Sequence, residues 1–150
     1  MADGVDERRQ EALRVLALCD TASLSALWQA WEPKPDHTVL KGPETGLVMA
    51  RGRVGGGGAP FNLGETTCTR CVVALASGEV GYGHILGRDG DKARTVALFD
   101  ALGQCTAHKE RVEAEVIAPL RTALAAAAKA RASEVAATRV DFYTMARGED

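Results

Sequence analysis

Val72-Val-Ala-Leu-Ala-Ser-Gly-Glu-Val-Gly-Tyr-Gly-His-Ile-Leu-Gly-Arg-Asp89 is the stretch whose reading decides the fold. A β-rich run over 66–76 meets Ser77-Gly78, a two-residue turn signal, and a second run over 79–86 follows, which predicts an antiparallel hairpin. Asp89 then opens a helical period in which Ala93, Val96, Ala97, Phe99, Ala101 and Leu102 form a buried face ending near Gly103. Upstream, His37 to Lys41 and Gly46 to Val54 read as two further strands.

Glycine confines the strands to the middle of the chain. Of 16 glycines, 14 lie between residues 32 and 103. Before them, Gly4 or Asp6 opens one helix through Cys19, and Asp20 or Thr21 caps a second. Leu24, Leu27, Trp28 and Trp31 give that second helix one apolar stripe, and Glu32-Pro-Lys-Pro35 ends it. After residue 103, an alanine-rich period over 108–138 continues through Val112, Val116, Ile117, Leu120 and Leu124, with Pro119 either kinking the helix or starting a new one. The expectation is one α+β domain over 1–150: helices at about 4–31, a Gly-rich antiparallel sheet of about four strands at 36–87, helices at 89–138, and a terminal segment at 139–148. Strands grouped between helices give this segregated order, with the helices covering one sheet face.

Composition narrows the function classes. The chain has 150 residues, 46% hydrophobic and 25% charged, with 18 Lys+Arg against 20 Asp+Glu. A core of ordinary size needs no metal or disulfide staple. The net charge of −2 offers no general attraction for nucleic acid or acidic membrane. The longest uncharged runs, Thr21–Trp31 and Val54–Gly64, have 11 residues, short of the ~18 a membrane span requires. Asp3, Asp6 and Glu7 stand where an export signal carries positive charge, so a cytoplasmic location is expected, with Cys19, Cys68, Cys71 and Cys105 as free thiols.

Four constellations could carry chemistry. Arg51-Gly-Arg53 with Gly55, Gly56 and Gly58, followed by Arg70, could cradle a phosphate through backbone N–H groups and bidentate guanidinium donors. The same run lacks the Lys-Ser/Thr end of a P-loop, and a plain hairpin connection is the alternative. Cys68-x-x-Cys71 with Cys105 and His108 is a zinc set on paper, but in a strand residues three apart face opposite sides, so no metal site is assigned. His37, His84 and His108 lack an acid or nucleophile at a telling spacing. Glu44, Glu65 and Asp89 could act as acids or bases without any sequence feature that tunes them, and no catalytic residue is assigned. Finally, Arg139, Asp141, Phe142, Tyr143, Met145 and Arg147 concentrate interface-prone side chains in one terminal segment, which reads either as a partner-docking arm or as a cover for the chain's own core.

Several segments together resemble the PhnG family, the G subunits of bacterial carbon–phosphorus lyase systems. They are Glu44-Thr-Gly-Leu-Val48, Arg53 with Gly55, Gly56 and Gly58, Phe61, Gly64, Thr67, Thr69 and Arg70. Gly81-Tyr82, Gly87-Arg-Asp89, Asp100-Ala-Leu102 and Val116-Ile-Ala-Pro-Leu120 follow, then Glu134-Val135, Arg139-Val-Asp-Phe142, Thr144-Met145 and Arg147-Gly148. The resemblance implies a subunit in organophosphonate use. In such systems the G, H and I subunits with the L protein make a ribose 1-phosphonate 5-triphosphate from ATP and an alkylphosphonate, releasing adenine. The I subunit carries the nucleosidase activity, and the J subunit later breaks the carbon–phosphorus bond with an iron–sulfur cluster and S-adenosylmethionine. It further implies a G subunit with no cofactor of its own, inactive alone and able to pair with itself when isolated. Arg53 and Arg70 would contact substrate phosphates or lock the loop against the I subunit. A stand-alone phosphate-binding enzyme and a zinc or redox module are the alternatives.

Overall fold

The computed structural model describes residues 3–138, with side chains from residue 7 onward. The elements run α1 (Asp3–Leu18), α2 (Thr21–Ala30), β1 (His37–Arg53), β2 (Pro60–Leu75), β3 (Val80–Leu86), α3 (Gly90–Gln104), α4 (Lys109–Val112) and α5 (Ala118–Ala137). The strands form one antiparallel sheet in the order β1-β2-β3. This is an α+β fold with three strands rather than about four. The expected strands at 37–41 and 46–54 are one: the chain crosses Gly42-Pro43 through register shifts between Val39 and Glu44 without reversing. Gly42 makes that crossing with φ +81°, where a Cβ would lie 2.5 Å from the Arg70 carbonyl oxygen. β2 also begins at Pro60 instead of 66, because its first residues pair with the end of β1.

Helix α3 is the centre of the core. Val96, Ala97, Phe99, Ala101 and Leu102 are completely buried, as is Ala93, matching the predicted face. It lies directly on β3 because that strand has no side chains at the crossing. A Cβ on Gly83 would come within 1.8 Å of the Ala93 carbonyl oxygen, and one on Gly81 within 1.9 Å of that of Ala97. Asp89 caps the helix, its side chain accepting from the Lys92 N–H at 2.9 Å.

The N-terminal helices pack beside α3. Asp20 caps α2, accepting from the Ser23 N–H at 2.8 Å. Trp28 and Trp31 meet Phe99 edge-on, at 5.5 Å and 5.6 Å between ring centroids. Lys34 donates to the carbonyls of Trp28, Gln29 and Trp31, satisfying the acceptors that Pro33 and Pro35 leave at the helix end. At the other end of the chain, α4 passes into α5 through a π-turn at Glu113–Ile117, directly before Pro119. The wider turn accommodates a residue that cannot donate and whose ring crowds the preceding turn. Beyond Leu124, α5 is exposed along its length. No helix among the described residues is long and apolar enough to cross a membrane.

Candidate functional site

The helices cover one face of the sheet, where Cys71, Val73, Leu75 and Ile85 are buried. The other face is bare. Residues directly opposite one another share a face, as do residues two apart. The bare face therefore carries Tyr82, His84 and Leu86 of β3, Cys68, Arg70 and Val72 of β2, and Glu44 and Val48 of β1.

β3 pairs with β2 only from Cys68 onward, so beyond it β1 and β2 continue as a two-stranded arm. Its apolar residues are exposed: Leu47 62%, Met49 51%, Val54 65%, Phe61 43% and Leu63 65%. Val48, Phe61 and Leu63 lie on the bare face, the last two flanking Gly52, and Leu47 and Met49 lie on the reverse. A two-stranded ribbon is marginal in water by itself, and one with apolar residues on both faces presents docking surface. The run Leu47-Val-Met-Ala50, apolar at consecutive positions, is the pattern of a strand buried on both faces. That pattern is the signal in the sequence that marks the arm.

The two predicted arginines stand at opposite ends of this arm. At its tip, Val54–Gly56 forms a 3₁₀ turn, the Gly58 N–H donates to Val54 at 2.8 Å, and Arg53 Nη1 donates to the Gly58 carbonyl at 3.2 Å. Gly55 and Gly56 take φ of +58° and +82°, so they fit the turn where other residues would strain. Arg53, Gly55, Gly56 and Gly58 thus lie together as one closed loop. Arg70 is at the root, opposite Glu44 and His84. Its Nη2 donates to Glu44 Oε1 at 2.7 Å, and Lys41 Nζ lies 3.4 Å from the same oxygen. Tyr82, His84 and Val72 complete a shallow cavity of about 180 Å³ around this cluster. Glu44 and Arg53 are nine positions apart on β1, on the order of 30 Å of strand. Within one chain, then, tip and root form two separate groups of donors.

A larger hollow of about 870 Å³ opens among α1, α3 and the α4–α5 segment. Its charges are of both signs. Arg9 pairs with Asp100 and Arg121 with Glu113, so the hollow does not single out an anion.

The cysteines and histidines do not converge. Cys68 lies on the bare-face side and Cys71 on the helix-covered side, as three-residue spacing in a strand requires. Cys105 ends α3, and His108 packs against Trp31 at 6.2 Å. Among the described residues no group of three or more His, Cys, Asp or Glu is placed to hold a metal ion. Burial pushes the thiols of Cys19 and Cys71 up from the ordinary value. His37 is held by Arg94 at 3.0 Å and the Pro35 carbonyl at 3.0 Å. Glu65 is exposed on the arm opposite Met49, and Asp89 serves as a helix cap. Arg139, Asp141, Phe142, Tyr143, Met145 and Arg147 lie outside the described residues.

Comparison with known proteins matches residues 7–148 to the family model described as "Phosphonate metabolism protein PhnG". The chain belongs to the PhnG family. It is 52% identical over 147 residues to a Rhizobium meliloti (strain 1021) protein named "Alpha-D-ribose 1-methylphosphonate 5-triphosphate synthase subunit PhnG", a match covering 98% of this chain and 93% of that relative. The resemblance drawn from the sequence motifs is thereby shown. In this PhnG-family chain the motif residues divide into those that build the fold, such as Gly81 and Asp100, and those that are exposed on the arm and bare face, such as Arg53, Phe61 and Arg70.

Proposed function

We propose that this chain is an assembly or active-site-completing subunit of the carbon–phosphorus lyase system. In this reading it serves the step that converts ATP and an alkylphosphonate to a ribose 1-phosphonate 5-triphosphate with release of adenine. The name of its Rhizobium relative supports the reaction. The observation that carries the subunit role is the arm, whose exposed apolar residues have no cover within the described chain. The H, I and J subunits are the expected physical partners and the L protein a functional one, with the chain inactive alone, binding no cofactor and working in the cytoplasm.

Arg53 with Gly55, Gly56 and Gly58, and Arg70 on its own, are the proposed contacts to substrate phosphates or to the I subunit. Their separation along the arm favours two different contacts over one shared anion site. Arg70→Ala tests this in the co-expressed complex: a loss of assembly or of turnover is expected, and an unchanged complex with unchanged turnover would remove Arg70 from both roles. A stand-alone phosphate-binding enzyme would instead bind ATP or methylphosphonate at micromolar concentration by itself. Calorimetry on the purified chain, expected to show no such binding, separates the two.

A further inference from the structure

β1 is an edge strand, and its pairing is irregular towards both ends but regular between them. Sheet edges are normally blunted by proline, lysine, bulges or short length. Here Lys41, Pro43 and the register shifts between Val39 and Glu44 guard the root, and a further shift between Ala50 and Arg51 bounds the far end. From Glu44 to Ala50 the pairing to β2 is regular, opposite Arg70 to Gly64, with no proline, lysine or bulge. That leaves seven residues of straight edge whose outward N–H and C=O groups have no strand beside them among the described residues. Leu47, Val48 and Met49 line the same stretch on both faces.

Charge tells what fits there. The arm and its root carry Lys41, Arg51, Arg53 and Arg70 against Glu44 and Glu65, although the whole chain is net negative. Arg51 is exposed and has no partner among the described residues. A second copy is a poor occupant. Pairing with a second copy would lay one arm with this surplus of positive charge against another, and like charges across paired strands are destabilising.

Resting on the subunit reading above, we propose that the Glu44–Ala50 edge of β1 takes an extended segment of a different synthase subunit as a fourth strand. The segment would place apolar side chains beside Leu47, Val48 and Met49 and a carboxylate beside Arg51 and Arg53. Backbone pairing supplies the affinity in such strand addition, and the flanking side chains supply the selection.

Hydrogen exchange on the purified chain and on the reconstituted synthase tests it. The outward amides of Glu44–Ala50 exchange fast in the free chain and slow by roughly 100-fold in the complex. Leu47→Asp with Met49→Asp, and separately Arg51→Glu, should leave the thermal midpoint of the free chain unchanged and lower its capture by the other subunits at least about tenfold. Amides that stay fast in a working complex, or both variants assembling normally, would overturn the proposal. Protection that grows with the concentration of the chain alone would overturn it in favour of self-pairing. A synthase that turns over equally well without the chain would instead end the subunit reading itself.

Discussion

Arg9 and Asp100 meet in a two-point pair across 91 positions of sequence, Nε to Oδ1 at 2.9 Å and Nη2 to Oδ2 at 2.8 Å. The Asp100 side chain is only 3% exposed and also accepts the Tyr82 N–H at 2.9 Å, so one carboxylate ties α1, α3 and β3 together. Removing one partner of such a pair leaves a buried charge or donor unsatisfied. Asp100→Ala is therefore expected to cost about 3 kcal/mol in urea unfolding. Asp100→Asn, which retains an acceptor for Tyr82, should cost less. An Asp100→Ala protein as stable as the parent would show that the pair does not hold these elements.

Gly83 gives a second stability test. The carbonyl of Ala93 occupies the space a Cβ would need, so Gly83→Ala must push α3 off β3, at a cost of roughly 2–3 kcal/mol. Gly46→Ala is the matched control, since a Cβ there meets nothing within 4 Å. Equal unfolding midpoints for the two variants would contradict the close approach.

Thiol chemistry should follow burial. Cys105 is the partly exposed cysteine, whereas Cys19 and Cys71 are buried with thiols pushed up by desolvation. Titration of the native protein with a disulfide reagent is expected to modify Cys105 first, and Cys105→Ser should abolish the fast phase. Fast labelling of Cys71 would contradict the packing of α3 on the sheet.

The Asp20 cap predicts a pH dependence. Hydrogen bonds from the Ser23 hydroxyl and backbone N–H hold the Asp20 carboxyl below the ordinary carboxylate range. A depressed folded-state pKa makes the contribution full above the unfolded value of about 3.9 and lost as pH falls through the folded one. The stability difference between parent and Asp20→Ala should thus be present at pH 6 and shrink below about pH 4. A difference that stays constant to low pH would exclude the ionised cap as its source.

The helices were legible in sequence because each carries its own boundaries and stripe: Asp20 and Asp89 as caps, Trp28 and Trp31 on one face, Phe99 and Leu102 on another. The β2–β3 hairpin was legible for the same local reason, since Ser77-Gly78 needs no distant information. The single strand β1 was not, because Gly42-Pro43 spells a turn locally and only pairing with β2 carries the chain through it. Nor was the separation of Arg53 from Arg70. Seventeen positions apart in sequence, they could have met at the mouth of a loop. The length of the hairpin, set by pairing between distant residues, puts one at its tip and the other at its root.

In the proposed role the synthase needs this chain, and the chain has no turnover alone. The direct measurement is formation of ribose 1-methylphosphonate 5-triphosphate and adenine from ATP and methylphosphonate by the reconstituted subunits, with and without it. Product is expected only when the chain is added to the others. Product at the same rate in its absence, or product from the chain by itself, would contradict it.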